Sequence, residues 1–281
     1  MQTIICPTDY SACSINAIRY ADEIAQRLDS RIILFHSIHE PAPAYEDFSI
    51  DTEAAPESLH GEEVRHLGKL KAIQTYLENT DWGIPISYET RIGYGKAADT
   101  IAHVTQQERA DLLVLGYEPV QGLKEIFVDS MAASLIRNTT CPVLHIPANT
   151  DFKPLHRIVV AVDLQGLSGF DTAFLLKLAS LFGAELQLLH VLPKEDREAQ
   201  AFAFEELQRA GRRLQYEYVS YHVQTSPFVE EGISRFCREQ KADMLVVGFK
   251  PVNSWQHLFP PTYLQSESTH TYLPVLVLHH K

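Results

Sequence analysis

The chain has 281 residues, of which 45% are apolar and 21% charged, and its 24 basic and 36 acidic side chains leave a formal net charge of −12. That balance weighs against nucleic acid or an anionic membrane as the main partner, because both call for a basic face. No apolar run approaches the ~18 to 20 residues needed to span a bilayer. The start, MQTIICPTD, has no basic segment followed by an apolar one, so a secretory leader is not expected. Cys6, Cys13, Cys141 and Cys237 are scattered through apolar segments without CxxC spacing, which reads as reduced, buried thiols in a cytoplasmic protein.

In chain order the sequence alternates short apolar runs with amphipathic segments. The runs fall at 3–8, 31–38, 84–92, 111–116 and 142–146 and read as strands with both faces covered. Ile15, Ile18, Ala21, Ala25 and Leu28 form a helical stripe between the first two, with Ser11 or Ser14 placed to cap it. Further stripes are Val64, Leu67, Leu70, Ile73 and Leu77, and then Ala97, Ile101 and Val104. The pattern then begins again. Residues 3–9 match 157–163 and residues 31–36 match 185–190 at an offset of 154, whereas 110–116 match 242–248 and 141–145 match 273–277 at 132. The order of elements is therefore duplicated, and the first copy holds 22 more residues than the second, the difference of the two offsets. The second copy has a stripe of Phe170, Phe174, Leu178 and Leu181 that Gly183 would stop, and another of Val229, Ile233 and Phe236.

Parallel strands joined by helical crossovers give a doubly wound α/β sheet. Two such domains are expected, 1–148 and 154–281, joined by the linker Pro147–Pro154, whose two bounding prolines leave little slack, so that the halves pack as an internal pseudo-dimer. The acid is uneven: residues 1–150 hold 11 basic and 21 acidic side chains, a balance of −10, against 13 and 15, or −2, for residues 151–281. Much of the excess lies in the insertion Glu40–Glu63, with eight acidic groups and no Lys or Arg. It reads as a solvated loop leading into a helix, or as a docking loop for a basic partner.

Ligands of open parallel sheets bind beyond the carboxyl ends of the strands, where strand order reverses. That place selects Pro7, Thr8 and Asp9, Ser37 beside His36, Gly116 and Ser130 in the first copy, and Asp163, Gly248 and Thr262 in the second. Asp9 and Asp163 would contact a base or ribose, or close an Asx turn or helix cap. His36 and His190, also matched by the repeat, read as histidines bonded within the fold. Gly93-Tyr94-Gly95 reads as a tight turn or a flexible rim. His145, His279 and His280 show no zinc spacing, and the last two read as exposed.

The segments Cys6-Pro7-Thr8-Asp9-Tyr10-Ser11, Leu34-Phe35-His36, Ala110–Gly116 and Cys141-Pro142-Val143-Leu144, in this order and duplicated, resemble the universal stress protein family in a tandem form that covers essentially the whole chain. The resemblance implies two Rossmann-like (adenine nucleotide alpha hydrolase-like) domains, each a five-stranded parallel sheet with helices on both faces. It also implies pairing through the last strands and a cytoplasmic stress-response role. Some members bind ATP through a loop after the fourth strand with Gly, two residues, Gly, nine residues, then Gly and Ser or Thr. Here the first copy keeps Gly116 and Ser130 but has Pro119 and Asp129 at the other glycines, and the second keeps Gly248 and Thr262 but has Pro251 and Pro261.

Proline has no amide hydrogen to offer a phosphate and fixes φ. A carboxylate about 4 Å from a phosphate costs roughly 4 kcal/mol at an effective dielectric of about 20, or about three decades of affinity. Trp255 and Phe259 lie in the second loop and are placed to plug that pocket. No Gly-x-Ser-x-Gly elbow, Walker lysine loop or intact Gly-x-Gly-x-x-Gly turn occurs. The expectation is a non-catalytic regulator without cofactor or metal, acting through contacts with itself and with a regulatory protein. The alternative is an ATP or AMP sensor using the first copy.

Overall fold

The computed structural model describes residues 2–39, 54–80, 86–118, 131–163, 169–249 and 273–280. The continuous apolar runs become strands. The first half contains β1 (Gln2–Pro7), α1 (Ala12–Leu28), β2 (Ser30–Ile38), α2 (Ala54–Thr80), β3 (Tyr88–Tyr94), α3 (Ala97–Gln107), β4 (Leu112–Tyr117), α4 (Met131–Asn138) and β5 (Val143–Pro147). The second contains β6 (Arg157–Ala161), α5 (Ala173–Phe182), β7 (Glu185–Leu192), α6 (Arg197–Leu214), β8 (Val219–Thr225), α7 (Val229–Gln240), β9 (Met244–Phe249) and β10 (Val275–His279).

The strand order is β3-β2-β1-β4-β5-β10-β9-β6-β7-β8 in one 10-stranded sheet. Within each half all pairings are parallel, as expected for crossover connections, and the reversal of order falls between β1 and β4 and between β6 and β9. The halves meet through β5 and β10, which pair antiparallel with Val143 opposite Val277 and His145 opposite Val275. Period-two alternation sends Ile4 and Cys6 to one face and Ile5 to the other. The first face is covered by α1, α2, α5 and α6, the second by α3, α4 and α7, and each apolar cluster runs through both halves.

The linker is held along its length. Asn16 donates to the carbonyls of Pro147 and Thr150, both at 3.0 Å. The Phe152 ring stands edge-on to Tyr20 at 5.0 Å, with the Arg27 guanidinium 4.8 Å above it.

Three expectations are corrected. The third strand begins at Tyr88 and takes in Gly93 and Tyr94, leaving Gly95, at φ +122°, as the turn. Phe170 lies outside α5 in an isolated antiparallel bridge to His280. His279 is buried, its Nε2 donating to the Ile136 carbonyl at 2.7 Å. In the acidic insertion, Glu57, Glu62 and Glu63 belong to α2, the helix into which this segment is expected to lead; Glu40 to Glu53 lies outside the described residues.

Candidate functional site

The first reversal point is built by the turn from β1 into α1. Pro7 ends β1 opposite Phe35, and the Thr8 amide then donates to the Phe35 carbonyl at 2.8 Å. Thr8 is buried. Its Oγ1 shares a 2.9 Å hydrogen bond with the Ser14 hydroxyl and accepts the Tyr10 amide at 2.9 Å. Asp9 Oδ1 accepts the Ser11 amide at 2.9 Å, closing an Asx turn, and Ser11 caps α1 by accepting from the Ser14 amide at 3.3 Å. Burial alone would raise the Asp9 pKa, but hydrogen bonds from Ser11 and Ser14 outweigh it and hold the carboxyl below its ordinary value.

These bonds carry Tyr10 into the left-handed region at φ +68°, uncommon for a residue with a side chain. Its ring thereby turns toward α2. Tyr10, His36 and His66 form a stack, with His36 and His66 nearly parallel at 4.2 Å and 13° and the Lys69 ammonium 4.8 Å over Tyr10. His66 Nδ1 lies 3.1 Å from the Tyr10 hydroxyl, which itself donates to the His66 carbonyl at 3.3 Å. Burial, with His36, Lys69 and Arg65 alongside, keeps the His66 pKa below its ordinary value. His36 Nδ1 donates to the Thr8 carbonyl at 2.7 Å, and His190 does the same to Val162 at 2.8 Å. The paired histidines therefore tie the end of the second strand to the end of the first in both halves.

Gly116 closes the other side of the first reversal point. A Cβ there would overlap the Cys13 carbonyl, so the residue is fixed by the close approach of β4 to the α1 backbone. Beyond it Glu118 accepts from the Cys13 thiol at 3.5 Å. Burial raises the Cys13 pKa first, and the nearby Glu118 and Asp9 carboxylates raise it further. Two carboxylates thus flank this point. Ser37 stands apart from it, donating to the Gly95 carbonyl at 3.1 Å and accepting from Thr100 at 2.9 Å. Those partners rim a cavity of about 500 Å3 between β3 and α3, floored by Phe35 and lined by Lys96, Asp99 and His103.

The second reversal point is filled differently. The ring of Phe170 lies against Gly248, where any Cβ would meet it, and His280 meets Phe170 edge-on at 5.5 Å. Asp163 follows β6 at its rim, partly buried. Ser130, Thr262, Pro119, Asp129, Pro251, Pro261, Trp255 and Phe259 lie outside the described residues. The sequence reading missed Phe170, Glu118 and the Tyr10–His66 contact. Only Phe170 left a signal, because the repeat aligns it with the polar Asn16. No cluster of three or more His, Cys, Asp or Glu able to hold a metal occurs among the described residues, and no described helix is long and apolar enough to cross a membrane.

A doubly wound sheet duplicated in tandem, with reversal points at equivalent places, defines a class of α/β proteins. The universal stress protein family model matches residues 1–147 and again 154–278, and the chain belongs to that family. Universal stress protein MJ0531 of Methanocaldococcus jannaschii is 30% identical over 145 residues, which is 50% of this chain and 79% of the relative. A universal stress protein from Archaeoglobus fulgidus shares the fold over 99% of this chain and 96% of its own, with a TM-score of 0.66 at 19% identity. PA1789 of Pseudomonas aeruginosa PAO1, described as functionally unknown, does so over 100% and 93%, with a TM-score of 0.60 at 18% identity.

Proposed function

We propose that this universal stress protein is a non-catalytic, cytoplasmic regulator built of two modules, 1–148 and 154–281, that acts through protein contacts. The observation that carries the reading is what borders the first reversal point and fills the second. The first is flanked by the carboxylates of Asp9 and Glu118, and the second is occupied by the ring of Phe170. A triphosphate needs amides and cations where it lies, and two carboxylates repel it. The prolines and Asp129 of the loops act in the same direction. Hydrolysis assays with ATP, together with calorimetry with ATP, ADP and AMP with and without Mg2+, test the reading. Neither turnover nor triphosphate binding is expected. Turnover lost on substituting Asp9 or Glu118 would overturn it.

The second reading is an adenine-nucleotide sensor using the first half. It draws on family membership and on the exposed, ordered carboxylate of Asp9, which is placed as a ribose-binding group would be. Tight AMP binding lost in Asp9→Ala would favour it.

A further inference from the structure

Among the described residues the 10-stranded sheet ends in β3 on one side and β8 on the other, and the two edge strands differ. At one end β3 carries Glu89 and Arg91, which pair with each other at 3.0 Å. At the other, the seven residues of β8, Val219–Thr225, contain neither charge nor proline. Exposed edge strands are ordinarily blunted by charged side chains, proline or bulges, because a bare edge is a template for another strand.

The hydrogen bonds of β8 show which backbone groups face away from β7, the last of them, the Thr225 carbonyl, accepting from Arg235 at 2.9 Å. Leu186 donates to the Tyr218 carbonyl at 2.8 Å, and the Ser226 amide donates to Leu192 at 2.9 Å. Backbone groups alternate sides along a strand. The even-numbered residues of β8 therefore bond to β7, and Tyr221 and Val223 turn their N–H and C=O groups outward. Aromatic side chains flank this edge. Tyr218 is 55% exposed and Phe204 42% exposed, and Phe204 meets Tyr221 edge-on at 6.1 Å.

We infer that two copies of this chain pair through β8, joining their sheets edge to edge about a two-fold axis. An antiparallel second β8 centred on His222 places each Tyr221 opposite a Val223 of the other copy. Each such pair exchanges two backbone hydrogen bonds, and an aromatic side chain beside a β-branched one is a stabilising cross-strand combination. No like charges meet along the strand. Overall charge selects the same end: residues 151–281 balance to −2, from 13 basic and 15 acidic groups, against −10 for residues 1–150. Two copies approaching through β8 bring their nearly neutral halves together and keep their acidic halves apart.

Sedimentation of the full chain over increasing concentration tests the inference, alongside hydrogen exchange of the Tyr221 and Val223 amides. The native chain is expected to dimerise, with both amides more protected as concentration rises. Val223→Pro removes an outward amide and leaves the bonds to β7 intact, so it is expected to weaken dimerisation by about tenfold or more. Circular dichroism checks that the variant folds, and if it does not, the exchange experiment decides alone. A chain that stays monomeric at millimolar concentration would overturn the inference. So would a dimer in which the two amides exchange at a rate independent of concentration.

Discussion

His145 sits at the seam between the halves, on β5 opposite Val275, fully buried, with neither ring nitrogen hydrogen-bonded among the described residues. Burial lowers its pKa from 6.5 to about 3, so it stays neutral in the fold. A group with a depressed basic pKa contributes its full stability above its unfolded value and loses it as the pH falls toward the folded one. Between pH 6.5 and about 3 the cost is ~1.4 kcal/mol per pH unit. His222 and His279, also held down chiefly by burial, act in the same direction. His145→Leu removes an unpaired polar ring from an apolar site. It is expected to stabilise the fold by ~1 to 2 kcal/mol near neutral pH and to flatten, without abolishing, the fall of the urea midpoint on acidification. Sequence pattern marked His145 as a strand residue but gave no sign of this isolation, which depends on what β10 places opposite.

Among the elements, those whose signals are local were legible in the sequence. Continuous apolar runs gave the strands, Ser11 capped α1, and Gly183 ended α5 at φ +61°. Elements set by distant partners were not. The start of α5 depends on the Asp171 amide reaching the His279 carbonyl at 3.0 Å, which pulls Phe170 out of the helix and onto Gly248. The bounds of β3 follow its register with β2, Ile32 opposite Tyr88 through Ile38 opposite Tyr94. The candidate site was legible as a place and as strand-end residues, but the Glu118 carboxylate beside the first reversal point and the Phe170 ring in the second were not. The linker is an element of the same kind. Asn16→Ala removes both side-chain hydrogen bonds to the Pro147 and Thr150 carbonyls, and is expected to cost ~1 to 3 kcal/mol, read as a shift in the urea midpoint.

The whole molecule behaves as one packed body. Both apolar clusters run across the β5–β10 ladder, and His279 reaches the Ile136 carbonyl of the opposite half. Leu276, fully buried on β10 opposite Leu144, belongs to neither half alone. Leu276→Ala is expected to cost ~2 to 5 kcal/mol, and to speed hydrogen exchange in β1 and β6 together. Acceleration confined to β6 would show that the halves open separately.

The closure of that ladder within a single polypeptide has a further consequence. A homodimer repeats every alteration on both subunits, so a lengthened acidic crossover or an aromatic wedge would be present twice. Here α2 spans 27 residues where α6 spans 18, and among the described residues a phenyl ring abuts one of the two strand-end glycines. Covalent fusion lets the two lobes specialise in different directions while each keeps an obligatory, unlike mate.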